Sequence, residues 1–197
     1  MVVFASTAVA ERCPKELAVL GRAPEELRAI HAPFERLTYT HALERLRERG
    51  FHLEWGSDLG TAEERALTLE SPAPLFLTHF PRDRKAFYML QSDTDPPTVE
   101  AADLLAPEGY GELIGASCRE TRIDRLTERL RAMGVDPAEY AWYFDLRRHG
   151  NVPHAGFGLG IERLLRWMLR REHIRETTPV PPDPVAPHAV IGRAPGV

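Results

Sequence analysis

The chain has 197 residues, of which 43% are hydrophobic and 27% are charged, a length and composition typical of one globular domain with its own core. Its net charge is −4, so the overall charge gives no indication of nucleic-acid binding, although a local basic face is not excluded. Cys13 and Cys118 are too few for a disulfide framework and favour a reducing, cytoplasmic location. No apolar run reaches the roughly 18–20 residues of a membrane span, so no membrane partner is expected.

The first part of the chain is predicted to be helical and the middle to be strands. Residues 1–30 form helices with short breaks, and a further helix covers about 40–49, with Thr38 or Thr40 as its cap and Gly50 at its end. Four strands follow in succession, at 73–80, 85–91, 98–106 and 111–119, with turn signals between them. Consecutive strands without intervening helices favour an antiparallel sheet.

The last part of the chain alternates helix and strand. A charged amphipathic helix ends at Gly134 and a shorter one starts at Asp136–Pro137. The stretch NVPHAGFG is a short strand, and GIERLLRWMLRR is a helix with apolar residues on one face. Residues 183–197 are rich in proline and are predicted to be disordered. The predicted fold class is therefore α+β, an antiparallel β-sheet flanked by helices.

Three alternating glycines stand in HAGFGLGIERLLRWML, residues 154–169. The spacing G-x-G-x-G near the end of the chain excludes a Rossmann fingerprint, and the lack of G-K-[ST] excludes a P-loop. Gly156, Gly158 and Gly160 can let a flat ligand such as a purine lie against the strand, or can serve only close packing. The pattern alone does not decide. Arg163 falls in the first helical turn, where a cation opposes the helix dipole, which favours a role such as holding a phosphate.

Asp103 and Glu112 lie on adjacent predicted strands joined by a turn. Adjacent carboxylates repel each other unless a cation lies between them, and Mg²⁺ takes one or two carboxylates together with substrate phosphates. For an arbitrary pair of this kind, two solvated side chains remain the better prediction. Arg119, after the second strand, either grips a carboxylate or carboxamide through its planar fork or forms a surface ion pair. The histidines show no ligand spacing, so zinc is not expected.

Taken together, these segments resemble one family. WYFDLRRHGNVPHAGFGLGIERLLRWML and EHIRETTPVPP are similar to the third signature motif of class II aminoacyl-tRNA synthetases, in the version of the aspartyl/asparaginyl subgroup. HFPRDRKAFYM, EWGSDLGTAEER and AADLLAPEGYGELIGASCRE resemble the segments before that motif in asparaginyl-tRNA synthetases, and GRAPEELRAIHAPFERLTYTHALERL resembles the helical stretch still earlier. The resemblance is collinear over about residues 8–181 and favours the asparaginyl over the aspartyl branch.

The resemblance implies an ATP-dependent reaction in which asparagine, or aspartate, becomes an aminoacyl-adenylate and is then transferred to tRNA. Asp103 and Glu112 would hold Mg²⁺ and the ATP phosphates. Arg119 would bind the side-chain end of the amino acid, beside Gly115, where many aspartyl enzymes carry Ser. The ATP-binding residues implied are Glu112, Gly158, Gly160, Ile161, Glu162 and Arg163, with Glu112 and Arg163 as the catalytic pair. The family reaction needs no nucleophilic side chain, because positioning and charge neutralisation suffice.

The sequence departs from the family pattern in two respects. It contains no counterpart of the family's N-terminal OB domain or of its first and second motifs, the second of which carries an Arg for the α-phosphate. Pro182 stands where the family's PFPR has its Arg. We therefore expect residues 1–182 to be a class II synthetase catalytic domain lacking its N-terminal portion, followed by the tail at 183–197.

Three interpretations follow from these departures. The chain is part of a split or truncated synthetase that needs an N-terminal half or a homodimer partner, or a paralogue that makes an adenylate or asparagine without tRNA, or a non-catalytic binding module. The first interpretation is favoured.

Overall fold

The computed structural model describes residues 1–179, so the predicted tail at 183–197 and Pro182 lie outside the described residues. The helices are α1 (Val2–Arg12), α2 (Pro14–Val19), α3 (Pro24–Arg28), α4 (Tyr39–Glu48), α5 (Thr61–Thr68), α6 (Ile123–Ala132), α7 (Ala141–His149) and α8 (Ile161–Met168). The strands are β1 (Glu35–Thr38), β2 (Leu75–Pro81), β3 (Thr98–Ala106), β4 (Gly111–Cys118) and β5 (Ala155–Leu159). Short 3₁₀ turns occupy Arg82–Arg84, Pro137–Tyr140 and Ile174–Thr177. None of the described helices is both long and apolar enough to cross a bilayer.

The five strands form one sheet in the order β1-β2-β3-β4-β5. The pairs from β2 to β5 are antiparallel, as predicted, and the α+β class is confirmed. β1 joins the edge of the sheet in parallel to β2, so the sheet is mixed. The sequence did not reveal β1, because its four residues, ERLT, are too short to show a strand period.

The predicted strand at 85–91 is wrong. β2 pairs directly with β3, so no strand can lie between them, and the segment instead runs past the strand ends after the Arg82–Arg84 turn. Only isolated bridges connect it to the sheet, at Met89 and Gln91. Its apolar side chains serve another purpose, because Phe87 is buried in a cluster with Leu126 of α6 and Phe144 of α7.

Helices cover the sheet on both faces. On one face, α4 and α5 pack against alternate strand residues, with Tyr39 and Leu67 meeting Leu77 and Leu105. On the other face, α1, α3 and α8 form a second core around the fully buried Trp167. Because side chains alternate along a strand, a residue's position in the strand decides which core it joins.

An ion-pair cluster ties three distant parts of the chain together at the β3–β4 turn. Glu108 accepts hydrogen bonds from Arg22 at 2.9 Å and from Arg170 at 2.8 Å. Arg22 is only 2% exposed, so its charge depends on this partner and on Glu26, 3.2 Å away. Burial raises the pKa of Glu108, but the hydrogen bonds from Arg170 and Arg22 outweigh it and lower the pKa below its usual value.

We expect Glu108→Gln to lower the free energy of unfolding by about 2 kcal/mol at pH 7, because the buried Arg22 then keeps only Glu26, whose carboxylate is shared with Arg170. A lowered folded-state pKa stabilises the protein above the usual pKa, and this contribution is lost as the pH falls through the lowered value. Urea unfolding followed by circular dichroism should therefore show a difference between wild type and variant that is full at pH 7 and shrinks below about pH 4.5.

Glu25→Gln is the matched control for this prediction, because Glu25 pairs with Arg28 on an exposed helix surface. It should change the free energy of unfolding by no more than about 0.5 kcal/mol. Equal effects of the two substitutions would contradict a special role for the Glu108 cluster.

Candidate functional site

The candidate site lies on the α4/α5 face of the sheet, where one cross-strand row joins Asp103, Gly115 and Gly158. Paired residues present their Cα–Cβ directions to the same face. A Cβ built on Gly115 would lie 2.9 Å from Glu112 Oε1 and 3.6 Å from Asp103 Oδ1. The two carboxylates thus converge over Gly115, whereas the hairpin pattern alone favoured two solvated side chains.

A β-bulge places a glycine at this point. Leu105 pairs with Glu112 but Leu104 pairs with Ile114, so Leu113 is an extra residue in β4. Leu113 and Ile114, although consecutive, both pack into the core on the opposite face. In a regular ladder Ile114 would stand opposite Asp103 and fill the site, whereas the bulge turns it away and brings Gly115 there.

The backbone of the bulge is held by three separate elements. Glu112 N donates to Glu64 Oε2 of α5 at 3.2 Å. Glu112 O accepts from Arg163 Nη1 of α8 at 3.2 Å. Leu113 O accepts from Gly160 N at 3.1 Å. The position of the Glu112 carboxylate therefore depends on α5, on the end of β5 and on the start of α8.

Asp103 is already paired with a cation on one side. Lys85 Nζ lies 2.6 Å from Asp103 Oδ2 and also stands 3.7 Å from the centre of the Phe80 ring. Burial raises the pKa of Asp103, and the ammonium of Lys85 offsets this rise only in part. Oδ2 is engaged by Lys85, while Oδ1 faces the point where Glu112 converges.

The carboxylate pair fits a magnesium ion that is shared with a phosphate ligand. Asp103 and Glu112 offer hard oxygens aimed at one point, and Mg²⁺ takes few protein ligands in nucleotide sites. Within residues 1–179, no group of three or more His, Cys, Asp or Glu side chains is arranged to hold a metal by itself. An ion here would therefore need substrate or water oxygens for its other positions.

Glu64 belongs to the site although sequence reasoning did not select it. Burial raises its pKa to about 6, an effect that the hydrogen bond from Glu112 N opposes and the charges of Glu112 and Asp103 reinforce. α5, which carries Glu64, was not predicted as a helix; the available signal was Glu63, the third residue of the helix, whose Oε2 accepts from N of the N-cap residue Gly60 at 2.9 Å. A partly buried carboxylate beside two others is typical of a functional site.

Arg163 approaches the carboxylates from the first turn of α8. Its Nη1 lies 3.5 Å from Glu112 Oε2, and a Cβ on Gly160 would meet its side chain at 3.2 Å. Arg163, Glu112 and Glu64 line a cavity of about 490 Å³ between α5 and the start of α8. Ile161 and Glu162, which precede Arg163, are exposed and do not line it.

The three glycines of β5 and the turn after it differ in their surroundings. A Cβ on Gly156 would lie 3.0 Å from Arg119 Nη2, so this glycine makes room for the guanidinium. Among the residues that the structure describes, no heavy atom lies within 4 Å of a Cβ on Gly158. Close packing therefore does not explain Gly158, and its open face continues the surface that holds Asp103 and Glu112.

Arg119 lies at the other end of this surface, directly after β4. Its Nη1 donates to Ser117 Oγ at 2.7 Å, and its guanidinium stacks 4.7 Å from the centre of the Tyr88 ring. These contacts hold the planar fork in place, and within residues 1–179 no carboxylate forms an ion pair with it. Arg119 can thus receive a ligand carboxylate or carboxamide.

The sheet and its covering helices have the architecture of a class II synthetase catalytic domain, and the sequence comparison places the chain in that family. The family profile described as "tRNA synthetases class II (D, K and N)" matches residues 3–184, so the chain belongs to this family. The resemblance inferred from the sequence motifs is confirmed.

The proteins to which this chain is similar include asparagine and aspartate enzymes. Asparagine–tRNA ligase of Pyrococcus abyssi is 50% identical over 158 residues, which cover 80% of this chain and 36% of that relative. The crystal structure of asparaginyl-tRNA synthetase from Pyrococcus horikoshii complexed with asparaginyl-adenylate matches with a TM-score of 0.89 and 44% identity, over 93% of this chain and 42% of that chain. Aspartyl tRNA synthetase from Entamoeba histolytica matches with a TM-score of 0.79 and 29% identity, over 91% of this chain and 38% of that chain. The chain thus spans about a third of the length of the curated relatives it matches.

We expect Gly158→Val to leave the fold intact and to weaken ATP binding. The open space at Gly158 accepts a side chain, so the free energy of unfolding should change by less than about 0.5 kcal/mol. The same side chain would occupy the face on which a purine lies, so the Kd for ATP, measured by calorimetry, should rise at least about tenfold.

Gly150→Val is the control, because Gly150 has equally open surroundings but lies in the loop before β5. Unchanged ATP affinity in Gly158→Val would show that the open face at Gly158 is not where the nucleotide lies.

We expect Glu64→Gln to stabilise the fold at pH 7.5. A carboxyl whose folded-state pKa is raised from 4.5 to about 6 binds more protons in the folded than in the unfolded state. The free energy of unfolding of the wild type therefore falls as the pH rises from 4.5 to about 6. The uncharged variant does not show this fall, so its free energy of unfolding should be higher by about 1–2 kcal/mol at pH 7.5. Urea unfolding should show the gain at pH 7.5 and its disappearance near pH 4.5.

Glu44→Gln on the exposed face of α4 serves as the control and should show no such pH-dependent gain. A Glu64→Gln variant that is less stable than wild type at pH 7.5 would mean that the charge of Glu64 is compensated in the folded protein.

Proposed function

We propose that this chain carries the ATP and amino-acid sites of an asparagine–tRNA ligase, and that it activates asparagine as an adenylate for transfer to tRNA. The observation that supports this most is the convergence of the Asp103 and Glu112 carboxylates next to the bare face of Gly158. Carboxylates that can share Mg²⁺ with phosphates lie beside a surface that can receive a flat base, and Arg163 stands at the phosphate end.

In the proposed reaction, an oxygen of the asparagine α-carboxylate attacks the α-phosphorus of ATP. A bond forms between that oxygen and the α-phosphorus, and the bond between the α-phosphorus and the oxygen that bridges to the β-phosphate breaks. Pyrophosphate leaves with the electron pair, so no proton transfer is required. Arg119 would hold the carboxamide, and Arg163 would hold the γ-phosphate while it is released. Magnesium, when bound by Asp103 and Glu112, supplies positive charge to the phosphates. Ile161 and Glu162 would contact ATP through their backbone at the start of α8.

The proposal names asparagine rather than aspartate. Arg119 can bind either side chain through its fork, so the arginine alone does not discriminate. Relatives at about 50% identity are asparagine–tRNA ligases, whereas the aspartyl enzyme that matches in structure is 29% identical. Gly115 agrees with this choice, because it stands where many aspartyl enzymes carry Ser.

The activity is further proposed to need additional polypeptide, either an N-terminal synthetase half or a homodimer partner. β5 forms one edge of the described sheet, and its Phe157 is 62% exposed. An open apolar edge next to the nucleotide face favours pairing with another strand. The same polypeptide would supply a cationic side chain that contacts the α-phosphate, together with contacts to tRNA. With both cysteines unpaired, the cytoplasm is the proposed location.

The test is asparagine-dependent exchange of pyrophosphate into ATP. We expect the chain alone to be slower by at least about 10²–10³-fold than a complete synthetase, because donors to the reacting phosphate are lacking. Adding the region of the Pyrococcus horikoshii enzyme that lies outside the matched part should restore exchange. In that mixture, Arg163→Ala and Arg119→Ala should abolish it.

Arg148→Ala removes an exposed cation whose ion pair within residues 1–179 is with Asp145, so it should not change the restored rate. Exchange with aspartate but not asparagine would overturn the choice of substrate. Intact ATP binding without exchange in any mixture would overturn the catalytic function and leave a binding module.

A further inference from the structure

Arg129 on α6 carries a charge that its surroundings compensate only in part. Its Nη2 donates to the backbone oxygens of Arg82 at 2.6 Å and Lys85 at 2.9 Å, which ties α6 to the turn after β2. Its Nη1 is buried and has no hydrogen-bond partner among the described residues. The hydrogen bonds to the turn satisfy Nη2. They leave Nη1 buried without an acceptor, which is energetically costly in a protein interior.

A second positive charge makes the position of Arg129 more costly. Burial lowers the pKa of Arg129, and the charge of Arg82 lowers it further, against the weaker influence of Asp83 and Glu120. Asp83 does not relieve this, because its carboxylate is 84% exposed and is engaged by Arg82 Nε at 3.1 Å. Two guanidinium groups are therefore held near each other without a carboxylate that bridges them.

A cavity of about 390 Å³ opens beside this pair. It lies between the end of α6 and the Arg82–Arg84 turn, and Arg82, Arg125 and Arg129 line it together with Gln91. Arg82 and Gln91 also line a neighbouring cavity of about 700 Å³, which adds Arg84 and the half-exposed Trp55. The acidic side chains at the smaller cavity are Asp83 and Glu128, and both are exposed.

We propose that this cavity, the Arg129 pocket, binds a phosphate group. Guanidinium forks recognise phosphate oxygens through paired, charge-assisted hydrogen bonds, and this cavity is lined by the side chains of Arg82, Arg125 and Arg129. A phosphate bound there would offset the repulsion between Arg82 and Arg129. The phosphate comes either from a free anion such as pyrophosphate or from an RNA backbone. The pocket contains neither Glu112 nor Arg163, so the inference does not rest on the proposed function.

The test measures pyrophosphate binding by calorimetry in an Arg163→Ala background, which removes the cation proposed for the ATP phosphates. We expect binding that weakens about tenfold with Arg129→Gln and by a similar factor with Arg82→Gln. Arg82→Gln keeps the proposal testable if Arg129→Gln destabilises the fold, because among the described residues the Arg82 side chain bonds only to exposed Asp83. Arg131→Gln removes the same charge from an exposed position on the same helix and should change nothing.

A single-stranded RNA of 12 nucleotides, titrated at two salt concentrations, distinguishes the sources. RNA binding that depends on Arg129 and weakens with salt supports a backbone phosphate as the ligand. Pyrophosphate binding without RNA binding supports a free anion. The proposal is overturned if pyrophosphate and RNA affinities are the same in the Arg129→Gln, Arg82→Gln and Arg131→Gln proteins.

Discussion

The extra residue in β4 is the constraint on which the candidate site depends. It lets Leu113 and Ile114 enter the same core while Gly115 faces the carboxylates. The glycine leaves room for the Glu112 carboxylate, since a Cβ at this position would lie 2.9 Å from Glu112 Oε1 and the Glu112 side chain would have to shift. The bulge also frees backbone groups that bind Glu64, Gly160 and Arg163, so α5 and α8 are docked by the same irregularity that opens the site.

Two carboxylates of the candidate site have raised pKa values, whereas the carboxylate that links distant parts of the fold has a lowered pKa. Glu108 lies between two arginines, and its lowered pKa stabilises the fold at neutral pH. Glu64 and Asp103 have raised pKa values because burial raises each pKa by more than the neighbouring cation lowers it. Such carboxylates oppose folding and are expected where a positively charged ligand, or a cation shared with phosphates, completes the arrangement.

The sequence was sufficient for the hairpin and insufficient for its register. Two strands joined by PEGY place Asp103 and Glu112 on one face, but a regular ladder puts Ile114 rather than Gly115 beside Asp103. No residue pattern in β4 marks the bulge, so the position of Gly115 beside Asp103 could not be predicted from the sequence. The apolar run at 85–91 was misleading for a different reason, because Phe87 packs on α6 and α7 rather than within the sheet. Glu64 was missed because short α5 lacks a long hydrophobic period.

The Glu108 cluster has a consequence for the order of folding. Arg22 and Glu108 are 86 residues apart, and Glu108 and Arg170 are 62 apart, so the cluster closes only after both ends of the chain have docked on the hairpin turn. Contacts of such long range form late, because much of the loop-closure entropy is lost before they are made. Interactions absent from the transition state act on the unfolding rate. We therefore expect the cluster to lower the unfolding rate more than it raises the folding rate.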